Sequence, residues 1–259
     1  MSVLDRFRLE GKRLFITGGT RGLGREMALA IADAGAEVIL VGRDGDSLQQ
    51  TAADIRRFGR QAHTIQADVG LPDACQAACQ EALSKYAPID ILINNVGGRR
   101  VPTPTTEMPL EVWQQIIDLN LTSTFLCTKL LGGPMVERRQ GRVINIASIS
   151  GMVANRGIGG RSYETSKAAV IQFTRATAAD WAPFSVTVNA ICPGGFMTEP
   201  NVRWSREHPE VIEAFKSQIP MGDFGKPEDL GPLAVYLASD AARYMTGAAL
   251  VIDGGYTLW

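Results

Sequence analysis

Tyr163 and Lys167 stand four residues apart in the stretch SYETSKAA at 162–169. On a helix that spacing brings both side chains to one face. A tyrosine hydroxyl alone, with an ordinary pKa of about 10, is a poor base at neutral pH. A nearby ammonium favours the phenolate and lowers that value, which suits proton exchange with an alcohol or ketone oxygen. The same spacing also suits an ordinary exposed pair on a helix, so other residues must decide.

A second constellation lies near the amino end. Residues 17–24 read TGGTRGLG and run directly into REMA. Glycines let the backbone turn sharply and approach a pyrophosphate with no Cβ in the way. A following helix offers free N–H groups and the positive end of its dipole. A tight strand-to-helix turn with no ligand would read similarly. Context favours phosphate: the turn follows the first strand, precedes an amphipathic helix, and a second strand ends about 20 residues later. There Gly42 is followed by Arg43, where a dinucleotide site for NAD usually places an acidic residue on the ribose. With Arg21 in the turn, two guanidinium groups suit a 2′-phosphate, and NADP(H) is the expected cofactor. Solvated surface arginines are the alternative, and Asp44 and Asp46 lie just beyond the position in question.

Strands and helices must alternate to place these groups. Short apolar runs at 12–17, 37–41, 62–67, 89–93, 142–147, 186–190 and 249–252 are rich in Val and Ile and bounded by Gly, Pro, Asp or Asn. They read as buried strands. Helical spacing fills 22–34, 46–58, 72–86, 110–138, 163–181 and 227–238. The alternation predicts an α/β fold: a Rossmann-type three-layer α/β/α sandwich with a seven-stranded parallel sheet, in a single domain over 1–259. Two stretches resist assignment to the core. Residues 98–109 are polar and Pro-rich, and 198–221 have helical stretches without strand features. Both follow predicted strand ends, where ligands bind in open α/β sheets, so they are a candidate substrate rim and lid. The Gly132-Gly133-Pro134 run predicts a break or kink in the long helix.

Composition limits the alternatives. Hydrophobic residues make up 45 % of the 259 and charged residues 20 %, which fits a chain with a sizeable core rather than disorder. The net charge of −1 gives no global field for nucleic acid or anionic membrane. No apolar run approaches the roughly 18 residues of a membrane span, and 1–12 lack a signal-peptide core, so a cytoplasmic location is the expectation. Of four cysteines, Cys75 and Cys79 are spaced to clip a metal on a helix. With only two histidines, His63 and His208, far apart in sequence, no zinc pattern forms, and no metal is expected.

Further motifs follow in order: Asp68-Val69, Asn94-Asn95-Val96-Gly97, DLNL around Asn120, NIASISG around Ser148, then Tyr163 with Lys167, Pro193-Gly194-Gly195-Phe196-Met197-Thr198, and Asp253-Gly254-Gly255. With the turn at 17–24, they make the chain resemble a short-chain dehydrogenase/reductase from end to end. The resemblance implies that Tyr163 exchanges a proton with the substrate oxygen and that Ser148 hydrogen-bonds it. It implies that Lys167 binds the nicotinamide ribose and depresses the Tyr163 pKa, and that Asn120 helps hold a water chain. Hydride would pass between nicotinamide and the substrate carbon. Cofactor contacts would come from Gly18, Thr20, Arg21, Gly22, Leu23, Gly24, Arg43, Asp68, Val69, Asn95, Gly97, Tyr163, Lys167, Pro193, Gly194 and Thr198.

Three departures stand out. Val96 replaces the alanine usual in the N-N-A-G motif, and Gly42 replaces the acidic residue of NAD-preferring members. The interval from Ser148 to Tyr163 is about two residues longer than in many relatives, which predicts a reshaped substrate loop and makes Ser150 a competitor for the serine role. Ser148 is preferred because it directly follows the strand.

Arginines crowd the expected mouth: Arg99, Arg100, Arg156, Arg161, Arg203 and Arg206. They favour an anionic substrate such as a sugar acid, with Arg99, Arg156 and Arg161 as candidate contacts; solubility or subunit contacts would equally explain them. The helices and the DGGYTLW tail are similar to gluconate 5-dehydrogenase-like members, and 3-oxoacyl-acyl-carrier-protein reductases share the same motifs. A sugar acid or polyol is the expected substrate; the alternative is a 3-oxoacyl-acyl-carrier-protein reductase or general carbonyl reductase, and a non-catalytic NADP-binding regulator is a remote one. The resemblance also implies a homotetramer.

Overall fold

A computed structural model describes residues 2–155 and 159–258. Seven strands form one parallel sheet: β1 (Arg13–Thr17), β2 (Glu37–Gly42), β3 (Ala62–Gln66), β4 (Ile91–Asn94), β5 (Gly141–Ile146), β6 (Val186–Pro193) and β7 (Ala249–Ile252). Their order is β3-β2-β1-β4-β5-β6-β7. The chain therefore leaves β1 in one direction for β2 and β3 and resumes on its other side with β4. That reversal leaves a crevice at the strand ends of β1 and β4, where such sheets bind ligands.

Alternation along the strands builds two cores. Leu14 and Ile16 of β1, with Val38 and Leu40 of β2, face one layer with Met27 and Ile31 of α1 (Gly22–Asp33). Phe15, Ile39 and Val41 face the other, with Cys79 of α3 (Pro72–Tyr86) and residues of two later helices. A parallel strand buried on both faces needs this uninterrupted apolar run, which is why the sequence signal was strong there. Helix α2 (Gly45–Arg56) begins at Asp44, whose carboxylate accepts from Ser47 N–H at 2.8 Å and caps the helix.

The predicted helix 110–138 departs from expectation. It consists of α4 (Leu110–Ile117), a π turn at Asp118–Thr122, and α5 (Ser123–Glu137). Helix α5 continues through Gly132-Gly133-Pro134 without the expected break. Gly132 lies so close under the Trp181 ring that a Cβ would collide with it. Gly132 serves helix packing while Gly133 faces open space, and the lone proline forfeits one backbone bond to the preceding turn. The irregularity falls instead at the π turn that carries Asn120, a geometry often found at functional sites.

Helix α6 (Arg161–Trp181) begins two residues before Tyr163. The candidate lid forms two short helices, α7 (Glu199–Glu207) and α8 (Pro209–Lys216). The segment predicted as a helix over 227–238 is a 3₁₀ turn, Pro227–Leu230, followed by α9 (Gly231–Ala238). The rim at 98–109 holds only one 3₁₀ turn, Thr105–Glu107.

Candidate active site

The glycine turn is built around Asn95. Its side-chain amide donates to the carbonyls of Thr17 (3.0 Å) and Gly18 (3.1 Å), while the Thr17 hydroxyl accepts from the Asn95 and Val96 N–H groups (3.0 and 3.1 Å). Gly18 and Gly22 adopt left-handed backbone, φ +66° and +51°, and a Cβ at Gly24 would run into the Gly18 carbonyl. The turn thus requires glycine for conformation at two positions and for close approach at a third. Arg21 precedes α1 without a side-chain cap, leaving first-turn N–H groups free for an anion. Thr198 borders this cradle, its methyl 3.3 Å from where a Gly22 Cβ would stand. This is the donor set and open backbone that a dinucleotide pyrophosphate needs.

At the end of β2 a side chain in place of Gly42 would meet Thr20, whose methyl lies 3.1 Å from where its Cβ would stand. Arg43 is exposed and pairs loosely with Asp68, 3.6 Å away. The hydrogen bonds from Ser47, with help from the Arg21 charge, hold the Asp44 carboxyl below the usual carboxylate range. Asp44 is thereby occupied as a helix cap, and Arg21 and Arg43 flank the edge of the crevice. Val69 is buried, and Asp68 accepts from the Gly70 N–H at 3.0 Å. Pro193 ends β6, and the Gly194 N–H donates to the Ile252 carbonyl at 2.9 Å with Asp253 packed behind.

The four expected catalytic residues converge from different elements. Asn120 is fully buried; its amide donates to Ile116 (2.8 Å) and Gly98 (3.1 Å) carbonyls, and its oxygen accepts from the Gly98 N–H at 2.9 Å. Ser148 follows β5 and accepts from the Ser150 N–H at 3.1 Å. Its side chain favours the ionised form of the nearby Tyr163 phenol. The Lys167 ammonium donates to the Ile146 carbonyl at 2.7 Å and lies 5.9 Å from the Tyr163 ring centroid. A Cβ at Gly97 would stand 2.6 Å from the Lys167 ammonium and 2.9 Å from the Asn120 oxygen, so glycine there lets the three groups approach.

Burial governs the electrostatics. It pushes the Tyr163 phenol above its ordinary value, while Ser148 and the Arg100 charge pull it down. Burial also lowers the Lys167 ammonium to about 8, with Cys192 opposing slightly. Cys192 of β6 is itself pushed up to about 11 by burial.

The competing serine has other partners. Ser150 Oγ accepts from Arg100 Nη2 at 2.8 Å and from the Asn155 amide at 2.9 Å. Of the arginines expected for an anionic substrate, Arg161 pairs with Glu164 at 2.7 Å, Arg99 is exposed with φ +59°, and Arg156 lies outside the described residues. A pocket of about 380 Å³ opens between the rim (Thr103, Thr105, Met108) and the start of α6 (Arg161, Ser162, Thr165). Sequence reading missed Glu164 and Asn155; Glu164 carried the only available signal, an acidic residue beside Tyr163. It also missed Cys127, whose sulfur lies 3.5 Å from Cys75 and 3.7 Å from Cys79 inside the core.

A family model described as enoyl-(acyl carrier protein) reductase matches residues 18–257. A galactitol 2-dehydrogenase (L-tagatose-forming) from Cereibacter sphaeroides is 40 % identical over 253 residues, 98 % of each chain. The crystal structure of a short-chain type dehydrogenase/reductase from Mycobacterium marinum superposes with TM-score 0.89 at 40 % identity, covering 99 % of both chains. That of a 3-oxoacyl (acyl-carrier-protein) reductase from Agrobacterium tumefaciens with NADP bound gives TM-score 0.91 at 29 % identity, over 99 % of this chain and 98 % of that one.

Proposed function

The chain belongs to the short-chain dehydrogenase/reductase family and acts as an oxidoreductase on CH–OH groups; from that premise we propose an NADP(H)-dependent enzyme that interconverts a secondary alcohol and a ketone on a polyol or sugar acid. One observation carries this reading: the buried Lys167 ammonium stands 5.9 Å from the centroid of the Tyr163 ring, and Ser148 is near enough to the same phenol to favour its ionised form.

When bound, the nicotinamide supplies or accepts the hydride. The protein's own residues manage the proton and the oxygen. The Tyr163 hydroxyl gives its proton to the carbonyl oxygen in reduction, and the Tyr163 phenolate takes the proton from the alcohol in oxidation. Ser148 hydrogen-bonds that oxygen. Lys167 lowers the cost of the phenolate through its charge and would hold the ribose of the nicotinamide nucleotide. Asn120, with its amide and oxygen fixed by Gly98 and Ile116, would help hold the water chain that carries protons to solvent.

The residues at the crevice fit a phosphorylated ribose. Gly42 puts no carboxylate at the end of β2, Asp44 is occupied as a cap, and Arg21 and Arg43 supply two guanidinium groups. A related reductase holds NADP. Among polyhydroxy substrates, the similarity to a galactitol dehydrogenase and the pairing of Arg161 with Glu164 favour a neutral polyol over an acid. The 3-oxoacyl alternative draws on the family model's description and the Agrobacterium relative. Exposed apolar side chains on α5 and β7, Phe125 and Val251 among them, suit the contacts of a homotetramer, and a cytoplasmic location goes with this reading. Among the described residues no helix is long and apolar enough to cross a membrane.

The test is a turnover screen with NADP⁺ and NADPH over polyols, sugar acids and 3-oxoacyl thioesters, run beside Tyr163→Phe. The reading expects polyol oxidation with NADP⁺ that Tyr163→Phe abolishes. Cofactor binding without turnover of any of the three classes would overturn it.

A further inference from the structure

A cluster of polar side chains lies beside Tyr163, and the proton chemistry does not use it. Arg100 enters from the rim. Its Nη1 donates to the Gly159 carbonyl at 2.8 Å and to Glu164 Oε1 at 3.3 Å, and its Nη2 donates to Ser150 Oγ at 2.8 Å. The guanidinium carbon lies 4.7 Å from the centroid of the Tyr163 ring. Glu164, the next residue on α6, has a side chain only 10 % exposed. It accepts from the Asn155 N–H (3.1 Å), the Asn155 amide (3.0 Å) and Arg161 (2.7 Å) as well. Gly160 adopts φ +101°, and a Cβ there would run into the Arg100 side chain.

Arg100 therefore has protein partners on both faces of its fork, and its hydrogen-bonding groups point into the protein rather than into the crevice. Although burial opposes it, the bonds from Arg161, Asn155 and Arg100 hold the Glu164 carboxyl below its ordinary value, so the anchor stays ionised at neutral pH. We propose that Arg100 is a positioning residue for proton exchange: anchored by Glu164 and Ser150, its guanidinium holds a second fixed positive charge over the Tyr163 ring. A cation over an aromatic face is attracted by the ring's electrons, and more strongly once the phenol has ionised. This inference rests on the reading of Tyr163 as the general acid/base. The other groups around this ring are Lys167 on α6, Ser148 after β5, Cys192 beside Lys167, Arg161 and Glu164 in the first turn of α6, and Tyr256, which feels both Arg100 and Glu164. The Arg100 charge acts on Tyr163 against the larger effect of burial.

The experiment titrates Tyr163 directly by its phenolate absorbance in the substrate-free enzyme. The signal is the difference between each protein and the same protein carrying Tyr163→Phe. The Tyr163 midpoint is expected to rise by about one pH unit in Arg100→Met and to return most of the way in Arg100→Lys. The acid limb of the kcat–pH profile for alcohol oxidation should move by the same amount. If Arg100→Met fails to fold, Arg100→Gln takes its place in the comparison. An unchanged midpoint in a folded neutral variant overturns the proposal, as does a midpoint in Arg100→Lys equal to that of the neutral variant. Turnover that survives Tyr163→Phe would instead overturn the acid/base reading, while the absorbance titration still decides whether Arg100 acts on the phenol.

Discussion

The Lys167 ammonium donates to the main-chain carbonyl of Ile146, the last residue of β5, at 2.7 Å. One bond thus ties the lysine on α6 to the strand that ends two residues before Ser148. The helix face and the strand end become one unit, and the spacing between Ser148, Tyr163 and Lys167 follows from it.

That bond does not offset the cost of burying the charge, because burial lowers Lys167 to about 8. An unfolded chain keeps this proton until about pH 10.4. Between the two values the unfolded state binds more protons, so this group makes stability rise with pH; below about 8 its full cost is present. Substrate-free Lys167→Met should therefore be more stable than the natural chain at pH 7, by roughly 1–3 kcal/mol after the lost bond to Ile146 is counted. Its advantage should shrink between pH 8 and 10. Urea unfolding at several pH values measures this, and a gap that stays constant across that window would refute the burial argument.

Gly97 tests how closely the site is packed. Gly97→Ala would place a methyl 2.6 Å from the Lys167 ammonium and 2.9 Å from the Asn120 oxygen. One of the two must move. Displacements of about 1 Å at a reacting centre can cost about 100-fold, so kcat should fall by about that factor with circular dichroism unchanged. Near-normal kcat would mean that the pair tolerates displacement.

The two serines can be separated in the same way. Ser148 meets the Tyr163 phenol, whereas Ser150 is held by Arg100 and Asn155. Ser148→Ala should lower kcat by about 100-fold or more, in keeping with loss of a hydrogen bond to the reacting oxygen. Ser150→Ala should cost about tenfold or less. The reverse order of effects would transfer the role to Ser150.

Much of this geometry was legible in the sequence because its physics is local. Buried parallel strands need unbroken Val- and Ile-rich runs, and the turn at 17–24 needs glycine, so both announce themselves. Tyr163 and Lys167 fall on one helix face by spacing alone. What stayed hidden depends on contacts between distant segments. Arg100 and Glu164 are 64 positions apart and meet only because the rim folds over the start of α6. The break-or-kink reading of Gly132-Gly133-Pro134 gave no break for the same reason, since Gly132 gives room to Trp181 from another helix. The third cysteine of the buried cluster, Cys127, likewise joins Cys75 and Cys79 only through the packing of α3 on α5.

Cofactor preference depends on Arg43, which is exposed and only loosely paired with Asp68 at 3.6 Å. Arg43→Glu replaces a phosphate-binding charge with a repelling one. A charge-assisted bond contributes about 1.5–3 kcal/mol, so the preference for NADPH over NADH in kcat/KM should fall by about 10- to 100-fold. Competition of the two cofactors at one substrate concentration reads this directly. An unchanged ratio would move the 2′-phosphate away from Arg43.

Arginines at the mouth give the last discrimination. Both Arg161 and Arg99 are exposed, but Arg161 pairs with Glu164 at 2.7 Å, which holds its guanidinium against the protein. Neutralising Arg161 should therefore alter KM for sugar acids and neutral polyols to the same extent. Arg99→Gln should raise KM for acids alone, by roughly threefold, as expected when an exposed charge contributes about 0.5–1 kcal/mol. The measurement is a paired set of KM values for a polyol and its corresponding acid in both variants. A selective loss of acid affinity in Arg161→Gln would show that the substrate draws Arg161 away from Glu164, and would return a sugar acid to first place.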